Sequence, residues 1–201
     1  MKRLILILLA ACGGDDSSSA QSDAAVDGSG SATIDAPAVD APNMGGTFTL
    51  TSPMLTEGAM LAAANTCDGA NTSPQLVWMG NAMNAMSYAV VLTDKSNNLV
   101  HWVIYDIPAS ATGLPAAVEK VYAPTNVAGA HQTASYQATT RGYLGPCPPA
   151  NGGPHTYEFA VYGLDVATLP GTSMTTTRAQ AVPLITQHMT ATALLTGNYE
   201  R

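Results

Sequence analysis

The chain has four histidines, His101, His131, His155 and His188, whose ordinary pKa places them nearest to neutrality. Two of them lead apolar runs: His101 opens HWVIYDIP and His155 opens HTYEFAVYGLD. His155 and Tyr157 stand at alternate positions, so in a strand they share one face. Asp94 closes the run YAVVLTD and so falls near the same rim. Imidazoles and a phenol offer N–H and O–H donors to an oxyanion such as phosphate or carboxylate, and a carboxylate beside an imidazole fixes its tautomer. The same four groups would also serve acid–base chemistry, although no nucleophile or metal accompanies them. A lone histidine at a strand entry is more often a plain capping or surface residue, and spacing alone leaves both readings open. His188 falls in a helical pattern and reads as structural; His131 lies in a Gly/Ala-rich loop and stays unassigned.

The cysteines narrow the chemistry further. A zinc site built from Cys67, Cys147, His101 and His155 would lack both CxxC and HxxxH spacing. Cys147 could pair with His155 or His101 as a nucleophile, with Asp94 orienting the ring. Its Pro-Cys-Pro setting supplies no helix N-terminus to lower a thiol pKa, and a bridged cysteine is no nucleophile at all. No Gly-x-Ser-x-Gly elbow and no phosphate loop occurs. Neither a metal nor a cofactor is expected, and a binding role ranks above an enzymatic one. Cys67 and Cys147 either form a bridge or remain two buried thiols. A bridge would close a loop of about 80 residues, worth about 4.5 kcal/mol in the chain-entropy account.

The segment GPCPPANGGPHTY (145–157) joins these groups. Its four prolines restrict the backbone and its glycines permit shapes that other residues resist. It reads as a stiff loop that ends on the two polar rings of His155 and Tyr157.

The surrounding elements follow from pattern. MKRLILILLAAC has a basic start and a short apolar run, too short to span a bilayer, and is read as an export signal over residues 1–11. Leu9-Ala10-Ala11-Cys12 looks like a bacterial lipobox, which implies a lipidated Cys12 and an envelope location facing the periplasm or cell surface; several acyl chains would anchor firmly. Residues 12–46 carry the lipidated cysteine and a Gly/Ser/Asp/Ala/Pro tether, with Asp-Ala-Pro repeated at 35–37 and 40–42. The remainder, 47–201, is one domain. Charged residues make up only 10% of the chain and the net charge is −7, which argues against nucleic acid. Short β-branched and aromatic runs at 75–79, 87–93, 100–105 and 156–162, bounded by turn residues, predict a mostly antiparallel β domain in two packed layers. Ala181, Leu184, Ile185, Met189, Ala193 and Leu194 recur at helical spacing, and Pro183 places the start of that C-terminal helix near Val182 and Gly197 its stop.

The series CDGANTSPQLVW (67–78), YAVVLTD (88–94), HWVIYDIP (101–108), GYLGPCPP (142–149) and HTYEFAVYGLD (155–165) closely resembles the phosphatidylethanolamine-binding protein (PEBP) family, and within it the bacterial subgroup called Raf kinase inhibitor-like. HMTATALLTGNYE (188–200) resembles that subgroup's C-terminal segment, so the likeness runs through nearly all of 47–201. It implies a PEBP-like antiparallel β-sandwich with a C-terminal helix and a small surface pocket for anions. Carried over motif by motif, the pocket would use Asp94, His101, Gly145, Pro146, Pro148, Pro149, His155 and Tyr157, with Cys147 inside the same loop. Its ligand would be a small anion or phosphate headgroup. An inhibitory contact with a protein partner, such as an envelope protease, is the alternative drawn from relatives. One stretch departs: where the family reads Asp-Pro-Asp-x-Pro, this chain reads Asp94-Lys95-Ser96-Asn97-Asn98, so a second acid and two prolines are missing from that lip.

Overall fold

The computed structural model describes residues 47–201. The export signal, Cys12 and the tether lie outside the described residues.

In chain order the elements are β1 (Thr49–Thr51), β2 (Leu76–Met79), β3 (Ser87–Asp94), β4 (Leu99–Pro108), β5 (Gly113–Leu114), β6 (His131–Gln132), β7 (His155–Leu164), α1 (Arg178–Gln187) and β8 (Met189–Tyr199). They form two antiparallel sheets, β1-β2-β5 and β6-β4-β3-β7-β8. Leu50, Leu76, Trp78 and Leu114 of the small sheet share a core with Leu92, Trp102, Ile104 and Phe159 of the large one. On the opposite face of the large sheet, Val91, Val103 and Tyr105 pack with Ala181 and Ile185 of α1. β3 and β4 are therefore covered on both faces, which is why their sequences are nearly continuous apolar runs. Full burial of each large side chain contributes about 1.5–3 kcal/mol. Trp102 also donates from Nε1 to Oε1 of Gln132 (2.7 Å), whose Nε2 donates to the carbonyls of Glu119 (2.7 Å) and Val121 (2.9 Å). That chain of bonds ties the 119–132 crossing to the sheet.

Two bulges interrupt the pairing of β3 with β4. Leu92 faces Trp102 and Thr93 faces Val100, so His101 is an extra residue between them. At the other end Tyr88 faces Ile107 and Val90 faces Ile104, and Asp106 takes a left-handed backbone conformation (φ 59°). A bulge bends the strand and re-aims a side chain. Both bulges carry an ionisable residue.

The C-terminal region corrects the expected helix in both position and length. α1 begins at Arg178, because Thr177 caps it: its hydroxyl accepts from the backbone of Gln180, while the Gln180 side chain accepts from the backbone of Thr177. This Thr-x-x-Gln capping box outweighs the first-turn preference of Pro183, which lies inside the helix. Residues 189–199 are not helical. They form the longest strand, β8, whose Ala193, Leu195, Gly197 and Tyr199 are buried at period two. Ten residues of β7 supply the pairing edge that decides it. Among the described residues, no helix is long and apolar enough to cross a membrane.

Candidate functional site

The large sheet brings Asp94, His101, His155 and Tyr157 together. Asp94 ends β3, and its register partner on β7 is Tyr157. His155, two residues earlier, turns its Nδ1–H onto Oδ2 of Asp94 at 2.7 Å; the other Asp94 oxygen accepts from the backbone N–H of Ser96 at 2.9 Å. The bulge delivers His101, which is 2% exposed, so that its Nδ1–H donates to the carbonyl of Leu144 at 3.0 Å. Its ring meets the edge of Tyr157 (centroids 5.5 Å apart) and lies against Tyr136 (4.3 Å), while the Tyr157 ring is 6.3 Å from that of His155.

The protonation chemistry follows from these bonds. Each imidazole spends its Nδ1–H on an acceptor, so in the neutral ring Nε2 is an acceptor and only the protonated ring donates from it. Burial pushes the His101 pKa below its ordinary 6.5, against the Leu144 carbonyl and the Asp94 charge, which favour the proton; Arg178 adds to the lowering. Tyr157 is held well above the usual phenol range by burial and by the Asp94 charge. Its hydroxyl is fully buried and makes no hydrogen bond of regular geometry among the described residues, although the Asp94 carboxylate lies close enough to act on it. It is therefore a standing donor at neutral pH.

The wall beside this cluster is held from behind by residues 65–72. The Gly145 N–H donates to Oδ1 of Asn71 (2.7 Å), the Tyr143 hydroxyl to the Asn65 carbonyl (2.6 Å), and the Cys67 N–H to the Pro146 carbonyl (3.0 Å). Cys67 and Cys147 are joined in a disulfide with Cα atoms 5.4 Å apart. A Cβ on Gly145 would come within 2.2 Å of the Asn65 carbonyl oxygen, so the close approach demands glycine there. Pro146 and Pro148 are buried, whereas Pro149 is exposed and its carbonyl closes a turn with Gly152. Outside the wall, Arg201 holds Asp68 at 3.1 Å and approaches the Cys147 sulfur at 3.6 Å, and Tyr199 donates to Asp68 at 2.6 Å.

Sequence reasoning missed Tyr136, Leu144 and Arg178. The first two touch His101 directly and the third acts on it through charge. No local spacing marks them, because they reach the site from the 131–144 loop and from the start of α1. His188 caps α1 and pairs with Asp165 at 2.8 Å, a structural position. His131 sits at the far end of β4, paired with Asp106 at 2.9 Å.

The family model for phosphatidylethanolamine-binding protein matches residues 51–200. The chain belongs to this family. Among solved structures, Escherichia coli YbcL, described as a new member of the mammalian PEBP family, superposes with a TM-score of 0.71 at 30% identity, over 78% of this chain and 99% of that one. A PEBP homologue from Chlamydia trachomatis, CT736, gives 0.63 at 27% identity, over 77% and 98%. The Mycobacterium tuberculosis protein named "Putative lipoprotein LppC" is 33% identical over 174 residues, covering 84% of this chain and 77% of the relative.

Proposed function

We propose that this PEBP-family chain is an exported, lipid-anchored binding protein whose His101–His155–Tyr157 rim holds a small oxyanion, either phosphate or carboxylate, free or as a phospholipid headgroup. The observation that carries the reading is the buried Tyr157 hydroxyl without a partner, set between two imidazoles and beside Asp94. An unsatisfied buried hydroxyl costs about 1–3 kcal/mol, and an anion that accepts from it recovers that cost. Two imidazoles that donate only when protonated add charge-assisted bonds, so binding takes up a proton. The lipobox at Cys12 supports the anchor, as does the name of the mycobacterial relative.

Phosphate and phosphoethanolamine titrations followed by NMR of the His101 and His155 rings test the reading. Both rings shift, and affinity rises as pH falls below 6.5. The absence of any ring shift at millimolar ligand overturns it. His155→Ala abolishes the binding.

A second reading, a regulator acting through a protein surface, draws on the exposed methionines Met79, Met83 and Met86. Such side chains form adaptable apolar contacts. This reading requires His155→Ala to keep the regulatory activity.

A further inference from the structure

The domain 47–201 contains five Lys or Arg residues: Lys95, Lys120, Arg141, Arg178 and Arg201. Lys95 pairs with Glu158 and Arg201 with Asp68. Among the described residues, Arg141 and Arg178 have no carboxylate partner, yet both line one cleft. One wall is the 134–141 loop, with Ala134, Ala138 and Arg141; the other is the start of α1 from Thr175 to Ala179. Two unpaired guanidinium groups facing one hollow repel each other, which is unexpected in a chain with a net charge of −7.

Each arginine is held in place. Arg141 lies over the Tyr122 ring, its Cζ 5.5 Å from the centroid. Its Nη1 is buried and, among the described residues, without a hydrogen-bond partner. Arg178 donates from Nη1 to the carbonyls of Ala134 (2.8 Å) and Ser135, which clips α1 to the opposite wall. Burial keeps its pKa below the ordinary value, a sign that the charge is partly desolvated. The ten-residue helix adds the backbone N–H groups of Arg178 and Ala179, first-turn donors with no intrahelical acceptor.

We infer that this cleft is a second anion site, distinct from the histidine rim, and that it takes the phosphate group of a small phosphomonoester. A tetrahedral phosphate has enough acceptor oxygens for the Arg141 fork, the α1 N–H pair and the hydroxyl of Thr175 together. Ala134, Ala138 and Met174 give the adjoining wall an apolar character suited to the organic part of an ester.

The test uses the folded protein, ¹⁵N-labelled, titrated with inorganic phosphate, with sodium chloride at equal ionic strength as the control. Phosphate shifts the backbone amides of Arg178 and Ala179 and the Arg141 Nε–H signal, and chloride does not. These shifts persist in His155→Gln, which separates them from binding at the histidine rim. In Arg141→Gln the affinity read at Arg178 and Ala179 falls about tenfold or more, while phosphate still shifts the His101 and His155 rings. Unmoved Arg178 and Ala179 amides in the wild-type protein at millimolar phosphate overturn the inference. So does an unchanged affinity in a folded Arg141→Gln protein. Should that variant fail to fold, the wild-type titration decides alone.

Discussion

The two ends of β4 carry almost the same parts. At one end a bulge presents His101, Asp94 pairs with His155 at 2.7 Å, and Tyr157 keeps a buried hydroxyl unpartnered among the described residues. At the other a bulge presents Asp106, which pairs with His131 at 2.9 Å, and Tyr105 keeps a buried hydroxyl unpartnered among the described residues. Even the spare carboxylate oxygen is used alike: Asp94 accepts from the Ser96 N–H and Asp106 from the Leu169 N–H. What differs is the surroundings. The first end has a second imidazole and a rigid wall clamped from behind by residues 65–72. The second end has Tyr122 against His131, and its aspartate fixes the loop that leads to α1. A His–Asp pair beside a tyrosine therefore does not by itself mark a site; the wall and the second donor are what set the first end apart, and the proposed function rests on them.

The largest effect should come from the wall. Reducing Cys67–Cys147, or replacing both by Ala, lowers stability by about 4.5 kcal/mol. In native-state hydrogen exchange, amides near Leu144 and Gly145 lose protection while those near His131 do not. Equal loss at both ends would show that the ends are not independent. Next come the aspartates. Asp106→Ala leaves the Leu169 N–H and the His131 ring unpaired and puts alanine at φ 59°, which costs about 3 kcal/mol in denaturant melts and leaves phosphate binding at the histidine rim intact. Asp94→Ala costs about 2 kcal/mol and removes that binding. A third pair isolates the hydroxyls. Tyr157→Phe and Tyr105→Phe each raise stability by about 1–3 kcal/mol, because each deletes a buried hydroxyl that has no partner. Tyr157→Phe weakens rim binding about tenfold, and Tyr105→Phe leaves it unchanged.

The smallest effect is one of pH. The folded-state pKa of His101 lies below the ordinary 6.5, so the unfolded chain takes the proton first as pH falls. Stability from this residue is complete above pH 6.5 and declines as pH drops through that value. Denaturant melts at pH 7.5 and 5.5 should show a larger loss in the wild type than in His101→Gln. A bound anion that pairs with the protonated ring reverses the trend.

Much of this was legible in the chain because local chemistry and global fold agree. β3, β4 and β7 were marked by their β-branched and aromatic runs, which gave most of their ends to within a residue or two, while β4 runs on past Tyr105 to Pro108. Asp94, His101, His155 and Tyr157 stand at strand ends, where period two and the motif series locate them. β8 was hidden because Ala, Leu and Met suit a helix locally, and only the edge of β7 makes period two the better solution. The start of α1 was written in Thr177 and Gln180, a signal masked by the attention Pro183 draws. Arg141 and Arg178 face one cleft through tertiary contact alone, which leaves no trace in spacing.

The Cys67–Cys147 bridge also has a consequence in time. It joins the wall of the histidine rim to the loop behind it across 80 residues, so no stretch of chain shorter than that can complete the rim. A newly made chain with reduced thiols lacks the largest single constraint on that end and stays easier to unfold. The rim then gains its full rigidity only once an oxidant has closed the bridge. Under the proposed function, full binding competence would follow oxidation and so mark the chain's arrival in an oxidising compartment.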